Sequence, residues 1–225
     1  VYVPSVVQVR CFDQDGGPEA GTGAGIYYGS KDGGYVETNT HVVVGADGLF
    51  HGCNVYFPRA SDGSFYDSAY FAGVADLYYD KVALVDGTRV DGLDFATIYL
   101  TEPHEAGQSI LYDFPPLQPG FGVELMDEWK DICTTSGTFL EFGDKVIAIG
   151  YPGVGGTSLT FTEGVVSGFS GEHGEVVKSS VSINQGNSGG IVIDAQNGCL
   201  VGVPTWSTTD YDGSGSNLGL ILSSS

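Results

Sequence analysis

Short runs of alternating apolar and polar residues recur along the chain, separated by glycine and other turn-forming residues. Alternation with a period of two places every second side chain on the same face of an extended strand. Many such runs between turn signals are typical of all-β sandwiches and barrels. The best helical candidate is the stretch from Val123 to Cys133, and no long amphipathic helix is predicted. The pattern therefore predicts an all-β fold.

The length and charge of the chain narrow the class of protein. Its 225 residues are enough for one large all-β domain, and 36 of them are glycine. Only 8 lysine and arginine residues stand against 28 acidic ones, which gives a net charge of −20. Such a surface repels nucleic acid and anionic membranes, and no apolar run approaches the roughly 20 residues of a membrane span. The expected partners are therefore neither nucleic acid nor membrane.

The run from Asn184 to Gly190 carries the clearest chemical signal. Ser188 lies between glycines in it, just ahead of the apolar run 191–193. A glycine before a serine lets backbone N–H groups turn toward the point of attack and form an oxyanion hole. A serine alone is a poor nucleophile, so this interpretation requires a base and an orienting acid elsewhere.

Both partners have candidates upstream. His41 follows a β-prone stretch and is expected at a strand end, where it would act as the base. Asp94 opens a second β-prone run and is the candidate acid, so the chain order is His, Asp, Ser. Taken singly, each has a plainer interpretation: Ser188 as a turn serine, His41 as a half-buried structural histidine, Asp94 as the end of a turn.

Taken together, these segments resemble the trypsin-like serine peptidases, and most closely the Deg/HtrA branch. The resemblance spans nearly the whole chain, and its segments occur in the family's order. They are residues 4–9, residues 21–26 with 38–43 around His41, residues 94–98, residues 143–152, residues 162–168, and the serine run.

The resemblance implies two six-stranded Greek-key β-barrels with the active site between them. It implies that Ser188 attacks the scissile carbonyl, that His41 moves the proton, and that Asp94 orients the imidazole. It also implies that the amides of Gly186 and Ser188 bind the oxyanion. The two halves are expected at 1–112 and 113–225, because prolines in 113–120 favour a crossover connection over a central strand. Residues 121–139 are interpreted as an insertion.

The resemblance also places a specificity pocket. Ser182, six residues before Ser188, would lie at its base, where a tryptic enzyme has aspartate. The walls and the entrance would come from Gln185, Thr205, Trp206, Ser207 and Gly219. A hydroxyl-lined pocket without a fixed charge predicts a small or uncharged P1 residue, that is, the residue on the N-terminal side of the scissile bond.

The four cysteines allow three pairings. Two barrels favour Cys11–Cys53 and Cys133–Cys199, against free thiols or another pairing. Disulfides would indicate a secreted, extracellular or periplasmic protein. No cofactor and no metal is expected, because the cysteines lack zinc spacing and the loop at Asp210 lacks the closing glutamate of a calcium site.

Departures from the Deg pattern leave one alternative open. Gln185 stands where those enzymes usually have proline, and Glu37 stands where they have an apolar residue. No PDZ domain is expected after the last strand, so caged assembly is not implied, and the oligomeric state stays open. The alternative is a catalytically silent trypsin-like module that binds or scaffolds. The presence of all three candidate side chains and of Gly186 favours peptide hydrolysis.

Overall fold

The structure is a computed structural model. It describes residues 6–12, 19–30, 33–45, 48–49, 52–58, 65–76, 83–85, 88–90, 96–103, 140–153, 158–170, 176–209 and 215–223. Within these ranges the chain forms sixteen strands and one short helix. The prediction of an all-β fold is confirmed.

The first barrel contains six strands, and their order around it is β1-β2-β3-β10-β7-β6. The closing pair is β1 with β6, so the sheet has no free edge there. One short helix, α1, follows β3, and β4–β5 and β8–β9 form two small separate ladders. The elements of this half are β1 Val6–Phe12, β2 Glu19–Ser30, β3 Gly33–Thr38, α1 Thr40–Val43, β4 Val44–Gly45, β5 Gly48–Leu49, β6 Gly52–Pro58, β7 Phe65–Asp76, β8 Ala83–Val85, β9 Thr88–Val90 and β10 Ala96–Pro103.

The second barrel repeats the same topology. Its order is β11-β12-β13-β16-β15-β14, so in each half the third strand pairs with the sixth and the first with the fourth. The prediction of two six-stranded Greek-key barrels is confirmed. The strands of this half are β11 Lys145–Gly150, β12 Thr160–Ser170, β13 Val176–Ser179, β14 Ile191–Asp194, β15 Leu200–Thr209 and β16 Gly215–Ser223.

Alternation along β1 shows how the sequence builds both a barrel core and an interface. Val7, Val9 and Cys11 are fully buried in the core of the first barrel, where Tyr27 and Phe57 also pack edge to face. Val6 points the other way and packs in a cluster that includes Ile149 and Ile191 of the second barrel. β1 therefore contributes Val6 to the interface between the barrels and its opposite face to the core of its own barrel.

One buried hydrogen bond reinforces this interface. The hydroxyl of Tyr151, just after β11, donates to the carbonyl oxygen of Val6 at 2.9 Å. The side chain is 2% exposed, and burial raises the pKa of Tyr151 well above its ordinary value, so the phenol stays neutral. A buried phenol that donates to the opposite barrel fixes how the two barrels are placed.

The predicted disulfide in the first barrel is confirmed. Cys11 on β1 and Cys53 on β6 are register partners, and their sulfur atoms are bonded. Cys199 is also disulfide-bonded, but its expected partner Cys133 lies outside the described residues. The described residues contain no free cysteine.

Several predictions fall on residues that the structure does not describe. They are the boundary at 112/113, the crossover at 113–120, the insertion 121–139 with its candidate helix, and the loop at Asp210. Among the described residues, no helix has the length and apolar character that a membrane crossing needs.

Candidate active site

The segment around Ser188 is a tight turn that only glycine permits at two places. Gly186 has a φ of +99° and Gly189 a φ of +84°, in the left-handed region that side chains disfavour. A Cβ at Gly186 would overlap the carbonyl oxygen of Tyr151. A Cβ at Gly189 would overlap the carbonyl oxygen of Ala24 in the first barrel. The turn is therefore pressed against both barrels.

Two carbonyl groups of this turn accept hydrogen bonds that orient the amides of the same peptides. The carbonyl of Gln185 accepts from the N–H of Gly153 at 2.9 Å, and that of Asn187 accepts from Gly190 at 3.0 Å. In a trans peptide the N–H points opposite to the C=O. The amides of Gly186 and Ser188 therefore point away from these bonds. Among the described residues, neither amide donates to a backbone carbonyl.

Ser188 is bonded to both barrels. Its carbonyl accepts a hydrogen bond from the N–H of Ala24 on β2 at 2.7 Å. Its hydroxyl donates to the carbonyl of Thr205 on β15 at 3.3 Å. The residue is 8% exposed, so the hydroxyl lies at the edge of the interior rather than on an open surface.

His41 lies in α1 and is exposed, whereas the sequence placed it at a strand end. The expected position is corrected, because the strand ends three residues before the histidine. β3 ends at Thr38, Asn39 is extended, and a single helical turn from Thr40 to Val43 then carries the histidine. The N–H of Val44 donates to the carbonyl of Thr40 and closes this turn.

Gly23 of β2 connects the histidine segment to the serine turn. A Cβ on Gly23 would lie 2.5 Å from Cγ2 of Val42 and 2.8 Å from the carbonyl oxygen of Ser188. Val42 directly follows His41, so the helix and the serine turn pack against the same glycine. The structure thus brings together the segments that carry two of the three predicted residues.

Asp94 lies outside the described residues, but the strand after it is described. Ala96, two residues later, opens β10 and is the register partner of Thr38 on β3. Thr38 precedes His41 by three residues. β10, which begins two residues after Asp94, is therefore paired with the strand that leads to the histidine segment.

The predicted pocket residues lie in three neighbouring segments. Ser182 and Gln185 are exposed, whereas Thr205 is 3% exposed. The backbone carbonyl of Ser182 accepts from Thr162 Oγ1 at 3.1 Å and from Asn187 Nδ2 at 3.3 Å. Along β15 and β16, Trp206 pairs with Leu220, and Ser207 pairs with Gly219.

The contacts that dock the serine turn were missed at the sequence level. They involve Gly23 and Ala24, the hydroxyl of Thr38, and the side chain of Asn187. The sequence features that could have indicated these contacts were the two glycines around Ala24 and the threonine three residues before His41. Neither pattern indicates by itself which carbonyl a small residue will meet across the fold.

Two Greek-key barrels that meet at a glycine-flanked serine define the class of trypsin-fold proteins, and comparison with known sequences agrees. The model of the family described as trypsin-like peptidase domain matches residues 23–203. This match covers well over half of the chain, which therefore belongs to the trypsin-like peptidase family.

Individual relatives extend the comparison. The serine protease Do-like HtrA of Bacillus subtilis is 29% identical over 205 residues. The match covers 86% of this chain and 35% of the relative, so the chain spans about a third of that protein's length.

Solved structures share the fold. The Rv3671c protease of M. tuberculosis in its inactive form has a TM-score of 0.57 at 23% identity, covering 99% of this chain and 85% of that one. Its active form has a TM-score of 0.57 at 22% identity, covering 99% and 77%. The serine endoprotease from Yersinia pestis has a TM-score of 0.55 at 22% identity, covering 99% and 59%. At these identities the similarity shows the fold alone.

Proposed function

We propose that this chain hydrolyses peptide bonds through an acyl-enzyme intermediate, with His41, Asp94 and Ser188 as its catalytic triad. The observation that carries the proposal is the docking of the serine turn on the first barrel. Ala24 N–H holds the carbonyl of Ser188, while neighbouring Gly23 packs against both Ser188 and the residue after His41. A nucleophile needs a base within reach, and this contact places the two segments side by side.

Asp94 is the third member of the proposed triad. Ala96, two residues beyond it, pairs with Thr38 at the end of the strand that leads into α1. A carboxylate at this point of the chain would accept a hydrogen bond from Nδ1 of the imidazole, fix its tautomer and stabilise the imidazolium.

In the proposed mechanism the hydroxyl of Ser188 first leaves the carbonyl of Thr205, which accepts it in the structure. A staggered rotation about χ1 turns Oγ toward Nε2 of His41. Oγ then attacks the scissile carbonyl carbon as its proton passes to the imidazole, and the imidazolium returns that proton to the leaving amine. Water repeats the sequence on the ester, which releases the acid and restores Ser188.

The oxyanion that forms in this attack would be bound by the amides of Gly186 and Ser188. Support comes from the bonded carbonyls of Gln185 and Asn187, which turn the two N–H groups away from Gly153 and Gly190. No rearrangement of these peptides precedes catalysis in this proposal. Losing one such donor costs roughly 3 kcal/mol in the barrier.

The P1 residue is proposed to be small or uncharged. Ser182, at the pocket base, has no charge with which to pair Arg or Lys, and its carbonyl already accepts bonds from Thr162 and Asn187. Ser207 and Gly219 are register partners, which places the two proposed walls on paired strands. Gln185 would present its amide at the entrance.

The substrates are proposed to be proteins or peptides in an oxidising compartment outside the cytoplasm. The disulfide between Cys11 and Cys53 and the bonded state of Cys199 support this location, because structural disulfides persist there.

A serine-directed fluorophosphonate probe tests the proposed nucleophile. We expect the folded wild type to be labelled, and Ser188→Ala, His41→Ala and Asp94→Asn to lose at least about 1000-fold in labelling rate. Ser167→Ala, on an exposed position of β12, is the matched control and should label like wild type. Absence of labelling in the folded wild type would favour a silent binding module.

A peptide library tests the pocket separately. Cleavage should follow small or uncharged residues, and the mixture should show no enrichment of Arg, Lys or Glu at P1. Ser182→Asp adds a carboxylate at the pocket base and should shift cleavage toward Arg and Lys. Wild-type cleavage mainly after Arg, Lys or Glu would refute this part of the proposal while leaving the triad intact.

A further inference from the structure

Thr38 is the described residue at which all three proposed catalytic segments meet. It is the last residue of β3, three residues before His41, and its register partner Ala96 follows Asp94 by two residues. Its hydroxyl oxygen also lies against the α carbon of Gly189, so closely that a Cβ there would overlap it. The side chain is 1% exposed.

The hydroxyl of Thr38 makes one short hydrogen bond to the β2 residue that holds the serine turn. It donates to the carbonyl of Ala24 at 2.6 Å, and both residues are buried. The N–H of the same Ala24 donates to the carbonyl of Ser188 at 2.7 Å. A continuous path of two hydrogen bonds therefore runs from the histidine strand through β2 to the nucleophile.

From this path we propose that Thr38 is a positioning residue, which sets the nucleophile's place relative to the base through Ala24. The inference rests on the proposed triad. Thr38 touches no reacting atom, so its contribution acts through the backbone of Ser188. Misplacement of a reacting group by about 1 Å can cost about 100-fold in rate, so the rate should depend strongly on the distance between the nucleophile and the base.

The prediction separates rate from affinity. Thr38→Val keeps the shape of the side chain and removes the donor, so the carbonyl of Ala24 loses its partner. We expect kcat, and the labelling rate by a fluorophosphonate, to fall about 10-fold to 100-fold, with KM changed less than about 2-fold. Thr38→Ser retains the donor and should keep the rate within about 3-fold of wild type.

The control is Thr160→Val, which removes a threonine hydroxyl that donates to a local carbonyl, that of Ser158, at 3.1 Å. It should leave the labelling rate unchanged. All rates are measured well below each variant's melting temperature and scaled to folded protein. A purely structural role for Thr38 predicts a lower melting temperature with an unchanged rate, and that result would overturn the inference.

Thr38→Ala provides a second hydroxyl-free variant in case the valine variant does not fold. Slower labelling of Thr38→Ala than of Thr38→Ser supports the positioning role, and equal labelling overturns it. If neither hydroxyl-free variant folds, the hydroxyl is structural and the inference is wrong. Failure of the wild type to label would instead refute the proposed triad, so the two failures are distinguishable.

Discussion

Individual glycines determine how closely the serine turn can approach the first barrel. Gly189 combines a positive φ with an α carbon in contact with Ala24 and Thr38. Gly143 has a similar φ of +89°, but a Cβ there would meet nothing within 4 Å. The two positions therefore separate backbone strain from steric overlap.

Gly189→Ala is expected to lower the free energy of unfolding by at least about 3 kcal/mol, since strain and overlap act together. Gly143→Ala should cost only about 1 kcal/mol, from backbone strain alone. Chemical denaturation of both variants measures the difference. Equal losses would mean that the packing at Gly189 relaxes without cost.

Tyr27 predicts a dependence of stability on alkaline pH. Burial raises the pKa of Tyr27 to about 12 from an ordinary 10.0, because the phenolate is poorly solvated in the core. Stability is complete below pH 10, where the phenol is protonated in both states. Between pH 10 and about 12 the unfolded state loses its proton first, so stability falls by roughly 2–3 kcal/mol.

Tyr27→Phe should show a smaller loss over this window, and Tyr151 supplies part of the remaining slope. Unfolding free energies measured by denaturant at a series of alkaline pH values make the comparison. The same slope in wild type and Tyr27→Phe would exclude a buried neutral phenol at residue 27.

The sequence predicted the proposed catalytic residues, but it did not predict the contacts that hold them in place. Ser188 and Gly186 were predicted because glycines around a serine are a local signal, and the φ of Gly186 agrees with a turn of that kind. The role of Thr38 has no such signal, since its hydroxyl acts on a carbonyl 14 residues away in the chain. A hydrogen bond from a side chain to a distant backbone carbonyl leaves no recognisable residue spacing in the sequence.

At the scale of elements, alternation predicted strands but not how they close. β11 lies within residues 143–152, one of the segments that carry the family resemblance, and its burial alternates before it becomes continuous at Ala148–Gly150. The continuous stretch arises where one face of β11 meets its own barrel and the other meets its neighbour. Pairing order was implied by the family resemblance, because alternation contains no information about which strands become neighbours.

Closure of the first barrel at β1 and β6 is reinforced by the bond between Cys11 and Cys53, which are 42 residues apart. In the chain-entropy account, a loop of that size stabilises the folded state by about 4 kcal/mol. The double variant Cys11→Ala/Cys53→Ala should lose at least this much in chemical denaturation. The same midpoint as wild type would show that hydrogen bonding between β1 and β6 suffices.

At the scale of the whole molecule, the two barrels are held by an apolar cluster and a few directed bonds. Tyr151 to Val6 and Ala24 to Ser188 both cross from one barrel to the other. The second of these bonds is part of the proposed site. The family resemblance predicted two barrels, but how the barrels are placed against each other follows from contacts that the sequence pattern does not contain.

Tyr151→Phe removes the hydroxyl that crosses to the first barrel. It should cost about 1 kcal/mol of stability and slow fluorophosphonate labelling, because the serine turn sits at the same interface. Tyr27→Phe, inside one barrel, is the matched control and should label at the wild-type rate at neutral pH. Equal labelling of both variants would show that the phenol does not influence the active site.

Ser188 lies in the second half of the chain, yet its carbonyl is held by the first barrel and its hydroxyl by the second. The rate at which Ser188 is labelled should therefore depend on how the two barrels are packed against each other. As denaturant rises, labelling should disappear while each half still retains its strands.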